Sequence, residues 1–200
     1  MRTYSRTKVL AGSAIFAALA YLVSYLEIPI FPAAPFLKLD FSAVFTLLGS
    51  FMFGPVSGVA ICIVKEALCA LTKSSTGGVG EIANVFMTIA FIIIPAVAYR
   101  FKKGLPWVVV YLVCGVALQT VVALITNRYI NFPLYVGDTA ESMFLQLWPF
   151  IVYFNLIKGA ANSVITLLLY KHVSHLFKAV GKHGSENQSH DGKNNSEAQS

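Results

Sequence analysis

Three polar groupings interrupt an otherwise apolar sequence, and each could do a different kind of chemistry. The first is Lys73-Ser-Ser-Thr-Gly-Gly-Val-Gly-Glu-Ile-Ala-Asn84. Its glycines permit close backbone approach to a ligand, while its hydroxyls, Glu81 and Asn84 offer hydrogen bonds. Gly78-Val-Gly-Glu-Ile-Ala83 formally fits the dinucleotide fingerprint. That motif needs a preceding strand in a βαβ unit, and an apolar helix precedes it here. No Gly-Lys-Ser/Thr follows, which argues against a phosphate-binding P-loop. The stretch is either a plain helix-to-helix turn or a ligand-contact loop.

The second grouping is Asn155, Lys158 and Asn162, spaced to share one helical face with Ile151. A lysine within an apolar span costs about 2.5–3.5 kcal/mol on insertion scales, so it should face a partner or a wet cavity. That face is either a structural polar seam or a ligand-binding surface. The third grouping, Lys65-Glu66, also lies inside an apolar run. Adjacent helical residues point apart, so each is expected to need a separate partner.

Catalysis has little to stand on. There is no nucleophile–base pair, no paired carboxylates and no HExxH, so no catalytic or metal residues are assigned and the chain is not expected to be an enzyme. ATP-binding motifs are missing too, so the chain cannot power active transport alone. Cys62, Cys69 and Cys114 are odd in number, lie in apolar runs and form no CxxC; they read as small apolar core residues. The four histidines fall at or beyond the end of the last apolar run.

The elements that must position these groups are membrane helices. Hydrophobic residues make up 56% of the chain and charged residues 12%, half the roughly 25% of a soluble domain. The apolar runs are too many and too dispersed for a signal peptide. Spans of about 20 residues are expected at 9–26, 41–53, 56–71, 82–99, 105–126 and 147–173. Asp40 and Ser42 are N-cap candidates for the second, and Gly54-Pro55 turns into the third. The proline-bearing stretch 28–35 should be an extended loop, and 127–146 a longer polar connection with aromatics. The fold class is therefore all-α, an integral membrane protein with six transmembrane helices. Its parts are a basic N-terminus (1–8), a membrane domain (9–175) and a polar, disordered tail (176–200).

The net charge of +6 could suggest nucleic acid, but its distribution points to a membrane. Six spans put Arg2, Arg6, Lys8, Arg100, Lys102, Lys103 and the C-terminal lysines on one side, against Lys38, Lys73 and Arg128 on the other. By the positive-inside rule both termini are cytoplasmic. The proline-bearing loop, the glycine-rich loop and the 127–146 connection then share the outer face. In the first span, Ala14 and Ala18 form a small-xxx-small pair suited equally to internal packing or to docking another subunit.

Leu37-Lys-Leu-Asp-Phe-Ser42, Gly54-Pro55 before a helix bearing Lys65-Glu66, Ser74-Ser-Thr-Gly-Gly-Val-Gly-Glu-Ile-Ala-Asn84 and Asn155-Leu-Ile-Lys-Gly159 occur in that order. Together they resemble the riboflavin-specific S components of energy-coupling factor (ECF) vitamin transporters, over roughly residues 8–175. Ala43-Val44 departs from the family pattern and leaves the start of the second helix open. The resemblance implies a subunit that captures extracellular riboflavin, with flavin mononucleotide open as a second ligand, and delivers it for ATP-driven import. Riboflavin would be the transport substrate, and no cofactor is implied. The implied partners are an ECF transmembrane coupling protein and two cytoplasmic ATPases, in the lipid bilayer of a bacterial cell membrane that the chain crosses several times.

The resemblance also assigns residues. Asn155 and Lys158 would meet the polar edge of the flavin ring. Asn127, Asp40, Leu39, Gly77, Gly78, Glu81 and Asn84 follow as further substrate-binding candidates. Phe36, Leu39, Tyr135, Trp148 and Tyr153 would supply walls, residues 28–39 a lid, and Ala14 and Ala18 the docking face. The runner-up reading is an S component for another vitamin, such as thiamine, biotin or a pantothenate-like acid. A channel or a membrane enzyme stands behind it.

Overall fold

The computed structural model describes residues 6–102 and 104–197, with side chains described as far as Leu169. The disordered tail expected over 176–200 lies beyond the described side chains. The chain divides into two units, Met1–Val164 and Ile165–Ser200. Everything that forms the site belongs to the first.

Helix α1 (Arg6–Val23) leads to a hairpin of two short strands, β1 (Ile28–Pro29) and β2 (Lys38–Leu39). These pair antiparallel, Ile28 opposite Leu39 and Pro29 opposite Lys38. The segment expected as an extended loop is thus closed at its base. Its apolar residues are packed: Ala34 and Leu37 are buried in one cluster with Ala123, Phe132, Phe144, Ile151 and Phe154.

Helix α2 (Ser42–Phe53) and helix α3 (Pro55–Thr72) flank Gly54. Helix α4 (Val79–Ala98) and helix α5 (Leu105–Thr126) follow. Where α5 crosses α4, a Cβ on Gly115 would sit 2.4 Å from the Phe91 carbonyl oxygen. Only glycine lets the two backbones come this close.

The polar connection expected over 127–146 is helical instead. A π-helical turn (Asn127–Asn131), helix α6 (Phe132–Val136) and a 3-10 turn (Gly137–Thr139) lead into α7 (Ala140–Glu197), which begins before the expected Leu147. The reason is local. Asn127 keeps helical dihedrals at the end of α5, and its Nδ2 donates to the Ala123 carbonyl one turn back at 2.7 Å. Phe132 and Phe144 bury their rings in the core rather than face water.

Arg6–Val23, Pro55–Thr72, Val79–Ala98 and the run Leu105–Leu169, which contains α5 and the start of α7, are long and apolar enough to cross a membrane. Helix α2 has 12 residues, a rise of about 18 Å against a hydrocarbon core of about 30 Å. Its length alone does not make it a full span.

Two local expectations need correcting. The N-cap of α2 is Phe41, not Asp40 or Ser42, and Phe41 makes no side-chain cap bond. The Ser42 amide donates to Asp40 Oδ1 at 2.9 Å, so Asp40 satisfies an orphan donor from one residue further back. Lys65 and Glu66 do not find separate partners. Both are buried, and Lys65 Nζ meets Glu66 Oε1 at 2.7 Å. Long, flexible side chains can curl together where burial leaves no solvent for either charge. Of the cysteines, Cys62 and Cys69 are buried but Cys114 is exposed, on the apolar outer surface of α5.

Candidate ligand-binding site

A cavity of about 400 Å³ lies among the hairpin, the glycine-rich loop, α4, α5, the π-helical turn, α6 and α7. That is within the range of small-molecule sites. Asp40, Glu81, Asn84, Asn127, Asn155 and Lys158 all line it. Residues far apart in sequence meet here because the hairpin and α7 are tied together. Lys158 Nζ donates to Asp40 Oδ2 at 2.7 Å, and Asn162 Nδ2 donates to the Asp40 carbonyl at 3.2 Å. Burial pushes the Asp40 carboxyl up, but Lys158, Lys65 and the hydrogen bonds from Lys158 and Ser42 outweigh it. The net result is a carboxyl held well below its usual range.

The two candidate asparagines are held alike. Asn155 donates Nδ2 to the Ile151 carbonyl at 2.8 Å and accepts at Oδ1 from Gln119 Nε2 at 3.1 Å. Asn127 donates Nδ2 to the Ala123 carbonyl at 2.7 Å and accepts at Oδ1 from Asn131 Nδ2 at 3.1 Å. Each amide keeps one N–H and one lone pair for a ligand.

The glycine-rich loop is bonded to itself. Glu81 Oε2 accepts from Ser74 Oγ and from Thr76 Oγ1, both at 2.9 Å. The Gly78 amide donates to Ser74 Oγ at 3.0 Å. Gly77 and Gly78 have φ of +62° and +94°, a region that side chains disfavour. These two glycines therefore shape the turn and do not line the cavity; Ser75, Thr76 and Gly80 do.

The walls differ from expectation. Phe36 and Tyr135 line the cavity, joined by Met87, Phe91, Phe132, Met143 and Phe154. Trp148 and Tyr153 are 47% and 61% exposed and face away from the core. Leu39 packs against the hydrophobic cluster beside the hairpin. Gln119 and Asn131 also line the cavity and were missed. A lone glutamine within the apolar run of α5 was the available signal.

At the mouth, Glu27 bridges the hairpin to the glycine-rich loop. Its Oε1 meets Lys38 at 2.6 Å and its Oε2 meets Lys73 at 3.2 Å. Lys73 also donates to the Ser24 carbonyl. Burial opposes ionisation of Glu27, but the two lysines hold its carboxyl below the ordinary glutamate range.

Residues 8–170 match the family model of the ECF transporter substrate-specific component. The chain belongs to this family. A riboflavin transporter RibU of Staphylococcus aureus (strain TCH60) is 30% identical over 180 residues, covering 88% of this chain and 95% of that protein. A riboflavin transporter FmnP of Bacillus subtilis (strain 168) is 27% identical over 176 residues, covering 82% and 91%. A solved S component of a bacterial ECF transporter superposes with a TM-score of 0.78 at 30% identity, covering 87% of this chain and 99% of that one. This S component is thus a membrane protein of a transporter family. On its α1 face, Ala17 and Ala20 are buried, whereas Ala14 and Ala18 are exposed.

Proposed function

We propose that this S component captures riboflavin outside the cell and delivers it for import driven by ATP hydrolysis on partner subunits. The observation that carries the reading is one cavity with aromatic and methionine walls and a polar end built from Asn155, Lys158 and Asp40. Riboflavin has a flat ring with an apolar edge, a uracil-like polar edge and a hydroxylated chain, and such a lining complements it. The relatives named as riboflavin transporters support the same substrate.

Asn155 and Lys158 address the polar edge of the ring, with Asn127, Asp40, Glu81 and Asn84 completing the polar lining. The hairpin 28–39 is the lid. Six membrane crossings place both termini in the bacterial cytoplasm, with the mouth outside. The exposed Ala14 and Ala18 form the face that docks on the coupling protein, which links the subunit to two ATPases.

Protein purified in detergent should be yellow, and titration should quench riboflavin fluorescence. A colourless preparation that leaves riboflavin fluorescence unchanged would refute the substrate. Lys158→Ala and Asn155→Ala should weaken binding in folded protein. Ala14→Trp should spare binding and impair uptake by cells; intact uptake would refute the docking face.

A further inference from the structure

Gln119 stands out because its position is costly. It is buried in a largely apolar helix, where an amide without a partner is unfavourable. Its Nε2 reaches across from α5 to Asn155 Oδ1 on α7 at 3.1 Å. One turn before Asn155, the Ile151 carbonyl takes Asn155 Nδ2. The Asn155 amide is therefore gripped at both ends: the Ile151 carbonyl, which can only accept, sets which way round it sits, and Gln119 holds its oxygen.

We propose that Gln119 is a positioning residue that, together with the Ile151 carbonyl, holds the Asn155 amide in place for the ligand. The proposal rests on the flavin reading above. With the amide held this way, its remaining lone pair and remaining N–H form a fixed acceptor–donor edge on the cavity wall. The uracil-like edge of a flavin carries an imide N–H between two carbonyls, and an acceptor–donor edge can take the N–H and one carbonyl together. An amide that kept only its bond to the Ile151 carbonyl would swing out of register with that N–H. Gln119 thus sharpens the preference of the site for the imide N–H. The same device recurs at Asn127, which is gripped by the Ala123 carbonyl and by Asn131.

The competing account is that Gln119 merely holds α5 to α7, as polar residues between membrane helices often do. The two accounts separate on a ratio of affinities. Riboflavin and N3-methylriboflavin, which lacks the imide N–H, are titrated against the native protein, Gln119→Leu and Gln119→Met. The methionine variant fills the glutamine volume without a donor and serves if the leucine variant does not fold. Native protein should prefer riboflavin by on the order of a hundredfold. Both variants should shrink the preference to about tenfold or less, mainly by weakening riboflavin.

Equal weakening of both ligands, with the ratio unchanged and the thermal midpoint lowered, would overturn the proposal in favour of helix adhesion. Native protein that binds both flavins equally would also overturn it. Native protein that binds neither would instead refute the riboflavin reading on which it rests.

Discussion

The contact between Asp40 and Lys158 joins the segment after the hairpin to the last helix, and a double-mutant cycle can weigh it. The two side chains are only 11% and 14% exposed, and their charged atoms lie 2.7 Å apart. Removing one member of a fully buried pair costs about 3–5 kcal/mol, because the survivor is left as an uncompensated charge. Here the cavity partly wets the ammonium, so Asp40→Asn should cost less, about 2–3 kcal/mol. Lys158→Met should cost less again, since the Ser42 amide and hydroxyl still hold the carboxylate. The double variant leaves no lone charge, and its loss should fall short of the sum of the singles by at least about 1 kcal/mol. Denaturant or thermal unfolding of ligand-free protein in detergent measures all four corners. Additive losses would refute the coupling. On the proposed role of Lys158 at the flavin's polar edge, losing a charge-assisted bond of about 1.5–3 kcal/mol should separately weaken binding by Lys158→Met roughly tenfold to a hundredfold. The Asp40 carboxyl is held below its unfolded value, so its contribution is present above that value and fades only as pH falls through the lowered one. Stability from this pair should therefore be flat between about pH 5 and pH 8.

Three further outcomes are expected. Glu27→Gln should speed flavin release a few-fold, since part-exposed ion pairs are worth about 0–1 kcal/mol each. High salt should mimic it, and because the Glu27 carboxyl is held low this bridge between hairpin and glycine-rich loop should loosen only as pH drops below the usual glutamate range; an unchanged release rate in stopped-flow would show that the bridge does not slow release. Flavin mononucleotide should bind more weakly than riboflavin, on the order of tenfold or more. The lining acids Glu27, Asp40 and Glu81 match Lys38, Lys73 and Lys158 in number, and each of these lysines already pairs with a carboxylate; equal affinities by calorimetry would show a cation available for the phosphate. Gly115→Val should destabilise the protein by about 1–3 kcal/mol, because a Cβ there would meet backbone of α4; an unchanged thermal midpoint would mean the helices can part without cost.

Composition and the length of the apolar runs were enough to read the membrane class and most helix positions; α5 was expected at the bounds observed, Leu105–Thr126. Length and apolarity suffice there because a helix satisfies its own backbone, whatever packs against it. The spacing of Ile151, Asn155, Lys158 and Asn162 likewise revealed one face of α7, since i, i+3 and i+4 neighbours align on any helix. The chain order of motifs carried the family resemblance. None of this could say which residues from different helices touch. Asp40 and Lys158 meet across 118 positions, a distance no local pattern spans. Trp148 and Tyr153 looked like walls by type, yet the rotation of α7 turns them outward. Gly77 and Gly78 looked like ligand contacts, but their positive φ is spent on the turn. Gln119 stood out by type in an apolar run, but its role could not be read there because it lies in the amide it faces on another helix. Sequence alone determined what kind of groups the cavity would hold and roughly on which helices. Only the tertiary structure decided which of them face inward and which hold one another, because helix rotation and the packing of the hairpin depend on long-range contacts.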